Sequence, residues 1–347
     1  MSAFEDMVLA SGCLPDRVLR RIIRTRVRGL VQTFSRLTAE ENEARENELL
    51  ALLERGPVTV NSDDANRQHY ELPAAFFQMV LGPRLKYSSC YWADGVADLG
   101  GAEEAMLALT AERAGLADGQ DILDLGCGWG SFALWAAHMF PKSRVVAISN
   151  SHGQRRFIEG RRDEQGLTNL EVVTAEVGAF EPSRLFDRVV SVEMLEHVRN
   201  HGELFDRISK WLKPQGSLFV HVFCHRRFLY AFETDGPGGW MAEHFLWGYL
   251  TRYQDRLRRK ERWEVDGRHY ARTLRAWLDE LDRRRKEVLP VLTSVYGPER
   301  ARLWLAYWRI FFMACEETFA LDSGREYFVA HYLFSRRDSD PPAPVTR

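Results

Sequence analysis

A short apolar run, Asp121-Ile122-Leu123-Asp124-Leu125, passes directly into Gly126-Cys127-Gly128-Trp129-Gly130-Ser131 and then into a helical pattern. That junction constrains the fold more than any other feature of the chain. Glycines at a strand end permit left-handed backbone, and the helix that follows turns its unpaired N–H groups toward whatever approaches the loop. A dinucleotide site wants its third glycine where this chain has Ser131, so the pyrophosphate fingerprint is missing.

The surroundings repeat the pattern. Arg144–Ile148, Leu170–Thr174, Asp187–Val192 and Ser217–Phe223 are short apolar or β-branched runs, separated by helical patterns at Trp129–Phe140, Gln154–Gln165 and Glu203–Leu212. Buried strands alternating with helices predict an α/β fold with a mostly parallel sheet covered on both faces. Further on, Glu261–Val265 and Tyr327–Ser335 read as strands, and Tyr270–Leu289 and Glu299–Glu317 as helices. Ahead of the sheet, Leu14–Leu53 reads as helices. In the first of them Val18, Leu19, Ile22, Ile23 and Val27 recur at helical spacing beside Arg17, Arg20, Arg21, Arg24, Arg26 and Arg28. Such a helix either docks on the protein body or lies on an anionic membrane surface. The breaks divide the chain into an N-terminal helical region (1–65), a ligand-binding core (66–223), a substrate-side lid with helices (224–317), a last strand (318–337) and a disordered tail (338–347).

Composition excludes several classes. With 47 Lys+Arg against 49 Asp+Glu, the charge balance gives no support to nucleic-acid binding. Cys13, Cys90, Cys127, Cys224 and Cys315 are odd in number and scattered, which reads as reduced thiols and a cytoplasmic location. No apolar run reaches the roughly 18 residues of a membrane span, and Met1–Ala10 lacks the basic and apolar pattern of a secretory signal. His221, Cys224 and His225 have no second pair at ligand spacing, so no metal is expected. The runs 256–260 and 283–286, dense in Arg and Lys, read as solvated helix faces.

Gly-x-Gly-x-Gly preceded by Asp-x is the spacing of S-adenosylmethionine (SAM) methyltransferases, in which the acid can hold the amino group of the methionine moiety. With Tyr87-Ser88-Ser89-Cys90-Tyr91-Trp92, Glu103-Glu104-Ala105-Met106, Ser149-Asn150-Ser151, Glu193-Met194-Leu195-Glu196-His197 and Gly267-Arg268-His269-Tyr270, the chain resembles the cyclopropane-fatty-acid-synthase-like superfamily of SAM-dependent methyltransferases. Within it the likeness is nearest to the coclaurine N-methyltransferase-like branch, and it runs from residue 66 to residue 335.

The resemblance implies a Rossmann-like class I methyltransferase with a seven-stranded sheet. It implies Asp124, Gly126, Gly128 and Gly130 under the methionine part of SAM, with Tyr87 and Ser88 closing over it. Asn150 and Gln154 become ribose-side candidates, and Glu176 either meets the adenine or is a surface turn acid. Glu196 and His197 match the acid and histidine held to be catalytic in the N-methyltransferase branch. Glu196, His221 and Tyr270 match three of four residues that surround a bicarbonate base in cyclopropane synthases, while Ser89 stands where their cysteine would be. The aromatics Phe228, Tyr230, Phe232, Trp240, Phe245, Trp247 and Tyr249 fall in the lid, which is several residues short near 246–252. The expected reaction is methyl transfer to nitrogen of a small, partly aromatic amine. The alternatives are methylation of unsaturated phospholipid acyl chains and a non-catalytic SAM-binding module; assembly as a homodimer is left open.

Overall fold

The computed structural model describes residues 14–59, 72–231, 244–245 and 249–336. The expected linker Asn61–Asp64, the tail from 338, and the lid aromatics Phe232, Trp240 and Trp247 lie outside them. Two helices open the chain, α1 (Asp16–Ser35) and α2 (Ala39–Leu53), followed by α3 (Ala74–Val80) and α4 (Leu99–Ala114). The alternating region runs β1 (Asp121–Leu125), α5 (Ser131–Met139), β2 (Arg144–Ser149), α6 (His152–Glu164), β3 (Leu170–Thr174), β4 (Phe186–Val192), α7 (His201–Trp211) and β5 (Leu212–His225). A two-residue ladder pairs β6 (Tyr230–Ala231) with β7 (His244–Phe245). The chain then forms β8 (Leu257–Val265), α8 (Gly267–Arg283), α9 (Arg285–Tyr296), α10 (Ala301–Phe319) and β9 (Tyr327–Arg336).

Seven strands form one sheet in the order β3-β2-β1-β4-β5-β9-β8. β1 to β5 pair in parallel, and β9 runs antiparallel to both neighbours. Successive residues feed opposite faces, as the pleat requires. Ile122, Val145, Ala147, Val190 and Phe219 enter one apolar cluster, and Leu123, Val146, Ile148, Val189, Leu218 and Val220 enter another. Helices must therefore cover both faces, which is why these strands read as unbroken apolar runs. A third cluster joins α3, α8, α9 and α10 around Trp277, Trp308 and Phe312, and includes Trp129 of the glycine loop.

Two expectations need correction. The basic run at 256–260 is not a helix face: it opens β8, at the sheet edge, where Arg258, Arg259 and Lys260 are exposed. Charged side chains there block pairing with another sheet. β8 contains the strand expected at Glu261–Val265 and begins four residues earlier, within the segment 224–317. The helix expected over Tyr270–Leu289 is two helices broken at Arg284, whose ψ is 18°. Leu278 and Leu281 of α8 and Val288 and Leu292 of α9 keep the buried spacing nearly continuous, so the pattern conceals the break.

The arginine-rich α1 packs Leu19, Ile23 and Val27 against the third cluster. Arg20 pairs with Glu316 (2.8 Å) and Glu317 (3.1 Å) of α10, and Arg24 pairs with Glu317 at 2.7 Å. Val18 and Ile22, expected on the apolar face, are exposed. Among the described residues no helix is long and apolar enough to cross a membrane.

Candidate active site

The parallel strands β1, β2, β3 and β4 all end at one edge of the sheet, and the residues after each end make up the candidate site. At β1 the loop turns through left-handed backbone, with φ of 84° at Gly126, 52° at Gly128 and 80° at Gly130. A Cβ on Gly126 would sit 2.4 Å from Cγ of Met194, whereas a Cβ on Gly128 would meet nothing within 4 Å. The loop is therefore packed from below at Gly126 and open at Gly128. Asp124, on β1 beneath it, is 2% exposed, and its Oδ2 has no hydrogen-bond partner among the described residues. Burial lifts this carboxyl to about 7, against the Ala133 N–H and the Lys86 ammonium, which favour the anion. A buried carboxylate oxygen without a donor, under an open glycine loop, is suited to an ammonium group.

At the end of β2, Asn150 is half-buried, and Ser151 caps α6 by accepting the Gln154 N–H (3.3 Å). Gln154 is buried, and its Oε1 accepts from the Ser149 hydroxyl at 2.6 Å, so this side chain braces the turn. After β3, Glu176 is half-buried and accepts from the Thr59 hydroxyl (3.3 Å). Tyr87 packs its ring between Phe77, edge-on at 5.3 Å, and Trp277, tilted at 5.4 Å, and buried Ser88 accepts from Lys86 Nζ.

The end of β4 holds the main departure from the sequence reading. His221 and Tyr270 converge on Glu193, not on Glu196. His221 Nε2 lies 3.0 Å from Glu193 Oε1, and the Tyr270 hydroxyl donates to Oε2 at 2.6 Å. The Ser89 N–H adds a third bond to Oε1, at 2.9 Å. Glu196 is also fully buried, but its Oε1 accepts the Phe223 N–H (2.9 Å) and braces β5. His197 is exposed. The short turn Leu195–His197 separates the two acids, so Glu196 points back into the sheet while Glu193 stands at its edge. Glu193 holds φ at 46°, a left-handed conformation that costs a side-chain-bearing residue ~1–2 kcal/mol. Its N–H bonds to the His221 carbonyl (2.8 Å), which helps hold that backbone in place.

Tertiary packing aims the three donors. His221 sits on β5 opposite Val192 of β4. Tyr270 lies in the first turn of α8, whose start presses on β9 so closely that a Cβ on Gly267 would fall 2.0 Å from the Tyr327 carbonyl oxygen. The extended segment through Ser89 is stapled to α8: the Cys90 N–H and Trp92 Nε1 both donate to Thr273 Oγ1 (3.2 and 3.0 Å). The Trp92 N–H donates to His269 Nδ1 at 3.0 Å. Cys90 itself is fully buried and its thiol is pushed up to about 12 by burial.

Lys86 links the two sides. Its ammonium is buried, which lowers its pKa, and the carboxyls of Glu193, Glu103 and Asp124 oppose that. Burial raises the Glu193 carboxyl, while Lys86, the Tyr270 hydroxyl and the Ser89 N–H pull it down. Glu103 on α4 accepts the N–H groups of Arg84 (2.8 Å) and Lys86 (3.1 Å), and burial lifts it to about 7. Glu193, Lys86 and Glu103 escaped the sequence reading as site residues. Glu193 had a legible signal: it is the first residue beyond β4, where ligands meet parallel sheets.

The strand order, the single antiparallel strand and the Gly-x-Gly-x-Gly loop define a class I, Rossmann-like methyltransferase. The mycolic acid cyclopropane synthetase family pattern matches residues 59–325. The chain belongs to that family and is a SAM-dependent methyltransferase. It is similar to (S)-coclaurine N-methyltransferase of Papaver somniferum, with 33% identity over 336 residues, 94% of this chain and 96% of that protein. A crystal structure of coclaurine N-methyltransferase bound to N-methylheliamine and SAH matches at 30% identity and a TM-score of 0.90, covering 96% of this chain and 99% of that one. A cyclopropane synthase of Mycobacterium tuberculosis shares the fold, with a TM-score of 0.65 at 22% identity over 80% of this chain and 99% of that one.

Proposed function

We propose that this chain methylates the nitrogen of a small, partly aromatic amine, and that Glu193 is the group that receives the amine's proton. The observation that carries the reading is the Glu193 carboxylate, nearly buried and fixed by Ser89, His221 and Tyr270. Bound SAM supplies an electrophilic methyl on a sulfonium. An amine brings its own lone pair and needs only to lose a proton, whereas an alkene needs further help to close a ring. Near-full-length similarity to N-methyltransferases supports the same reading.

On the cofactor side, Asp124 is assigned to the ammonium group and the loop Gly126–Gly130 to the methionine portion of SAM. Tyr87 and Ser88 would close that side, Asn150 and Glu176 would serve the ribose and adenine, and Gln154 would support that end by bracing the turn after β2. Tyr270 and His221 hold the Glu193 carboxylate in one orientation, so alignment with the acceptor is set before binding. Glu196 acts by bracing the strand ends, and His197 by its charge. Contact of α1 with a membrane surface belongs to the lipid reading, and the ion pairs that tie Arg20 and Arg24 to α10 count against it.

The test offers methyl-labelled SAM with a tetrahydroisoquinoline amine panel and unsaturated phospholipid vesicles in one tube. Label in an amine is the expected result. Label in the lipid fraction, and in no amine, overturns the reading.

A further inference from the structure

Behind His221 the hydrogen bonds continue away from the site. His221 Nδ1 lies 3.0 Å from His331 Nε2, and His331 Nδ1 lies 2.8 Å from Nη1 of Arg113. Both imidazoles are fully buried, and they face each other across the β5–β9 ladder, where His221 and His331 are register partners. A guanidinium can only donate, so His331 Nδ1 must accept. A neutral imidazole has one N–H, so His331 carries it on Nε2 and donates to His221 Nδ1. His221 then carries its own proton on Nε2 and donates to Glu193 Oε1. A positive charge at one end thus sets the direction of every bond up to the carboxylate.

We propose that Arg113 and His331 are positioning residues for Glu193: they lock His221 in the tautomer that can only donate to the Glu193 carboxylate. The chain is consequently a dead end for protons. Passing a proton from Glu193 to His221 would require each imidazole in turn to give up its Nδ1 lone pair, and finally Arg113 to accept a proton, which it cannot. Glu193 therefore cannot pass the proton it takes from the acceptor nitrogen to His221. His221, matched in the sequence reading to a residue that surrounds a bicarbonate base, becomes a fixed donor to Glu193.

The charged and titratable groups around the chain agree. Lys86, from the segment before α4, and Arg113, from α4, both disfavour a charged His221 and a charged His331, and burial of both rings acts in the same direction and is the largest cause. Around Glu193 stand Lys86, Tyr270 of α8, and His197 of the turn after β4. β8 contributes Trp263, register partner of His331, over which the Arg113 guanidinium lies 5.2 Å from the ring centroid.

The inference deepens the proposed role of Glu193, so its test has a part that does not depend on turnover. Long-range ¹H–¹⁵N spectra of the intact, ¹⁵N-histidine-labelled protein report each tautomer directly. Two histidines, identified by their loss in His221→Gln and His331→Gln, are expected to carry the proton on Nε2 and not to titrate from about pH 6.5 to about pH 9. A proton on Nδ1 of either, or an imidazolium in that window, overturns the inference whatever the acceptor is. In turnover, Arg113→Gln is expected to lower kcat about tenfold with both KM values within about twofold, and to move the acid limb of the kcat profile up by about one pH unit, because Glu193 loses an oriented donor to its anion. Arg113→Lys, which retains a donor, is expected to restore most of both. An unmoved acid limb in Arg113→Gln overturns it.

Discussion

The two halves of the site are built in different ways. The methionine end of the proposed cofactor half is local: Asp124 and the three loop glycines lie within seven consecutive residues, and the strand that presents them is their immediate neighbour in sequence. The proposed acceptor half is gathered from six places. Ser89 precedes α4, Arg113 is on α4, Glu193 follows β4, His221 is on β5, Tyr270 on α8 and His331 on β9. A local half depends on backbone conformations that individual residues dictate. A gathered half depends on strand register and helix docking, so it can be re-aimed by changes far from the chemistry.

The sharpest test of that division is Glu193→Gln against Glu196→Gln. Removing the Glu193 charge is expected to lower kcat about 10²- to 10⁴-fold, with SAH affinity by calorimetry within about threefold. Glu196→Gln keeps an amide oxygen for the Phe223 N–H and is expected to cost far less. The reverse ranking would return the reacting acid to the position that the sequence motif alone suggests.

Gly126→Ala should break the separation between the halves. Its Cβ would collide with the inner atoms of Met194, the residue after Glu193. SAH affinity is expected to fall at least about tenfold, and kcat with it. Loss of affinity with unchanged turnover at saturating SAM would show that the halves are independent even at their point of contact.

Protons sharpen the cofactor side. Asp124 is held near 7 by burial. Below that value it carries a proton that an incoming ammonium must displace, so SAH affinity should rise with pH to about 7 and then level, by about tenfold overall. Binding at pH 7 should release a proton, read by calorimetry in buffers of different ionisation enthalpy. Asp124→Asn is expected to flatten that dependence. The sign for stability is opposite. A carboxyl whose folded pKa is raised binds its proton more tightly when folded, so Asp124 and Glu103 make the cofactor-free protein lose stability as pH climbs from about 4 to about 7. Asp124→Asn should lessen that loss, as followed by thermal unfolding.

The smallest effect is expected at His197. It is exposed, and its charge favours the Glu193 anion. His197→Ala should change kcat by about twofold near neutral pH, less at high salt. A drop of a hundredfold would place His197 against the acceptor.

The sequence by itself determined the sheet and the cofactor loop. Unbroken apolar runs force burial on both faces, and a strand ending in Gly126-Cys127-Gly128-Trp129-Gly130 admits few backbone paths. It also located the segment Glu193–His197 and, through the resemblance, His221 and Tyr270. Which acid they meet was decided by tertiary structure. Glu193 and Glu196 are three residues apart in one motif, and composition does not distinguish them; the left-handed turn at Glu193 does, by setting one carboxylate at the sheet edge and the other against β5. His331 lies in the run Tyr327–Ser335, which reads only as a buried strand. Its bond to His221 follows from the antiparallel register of β5 and β9, a pairing between residues 110 positions apart that no local pattern encodes. Local backbone preference is written residue by residue, whereas register and docking emerge from burying all the apolar faces at once.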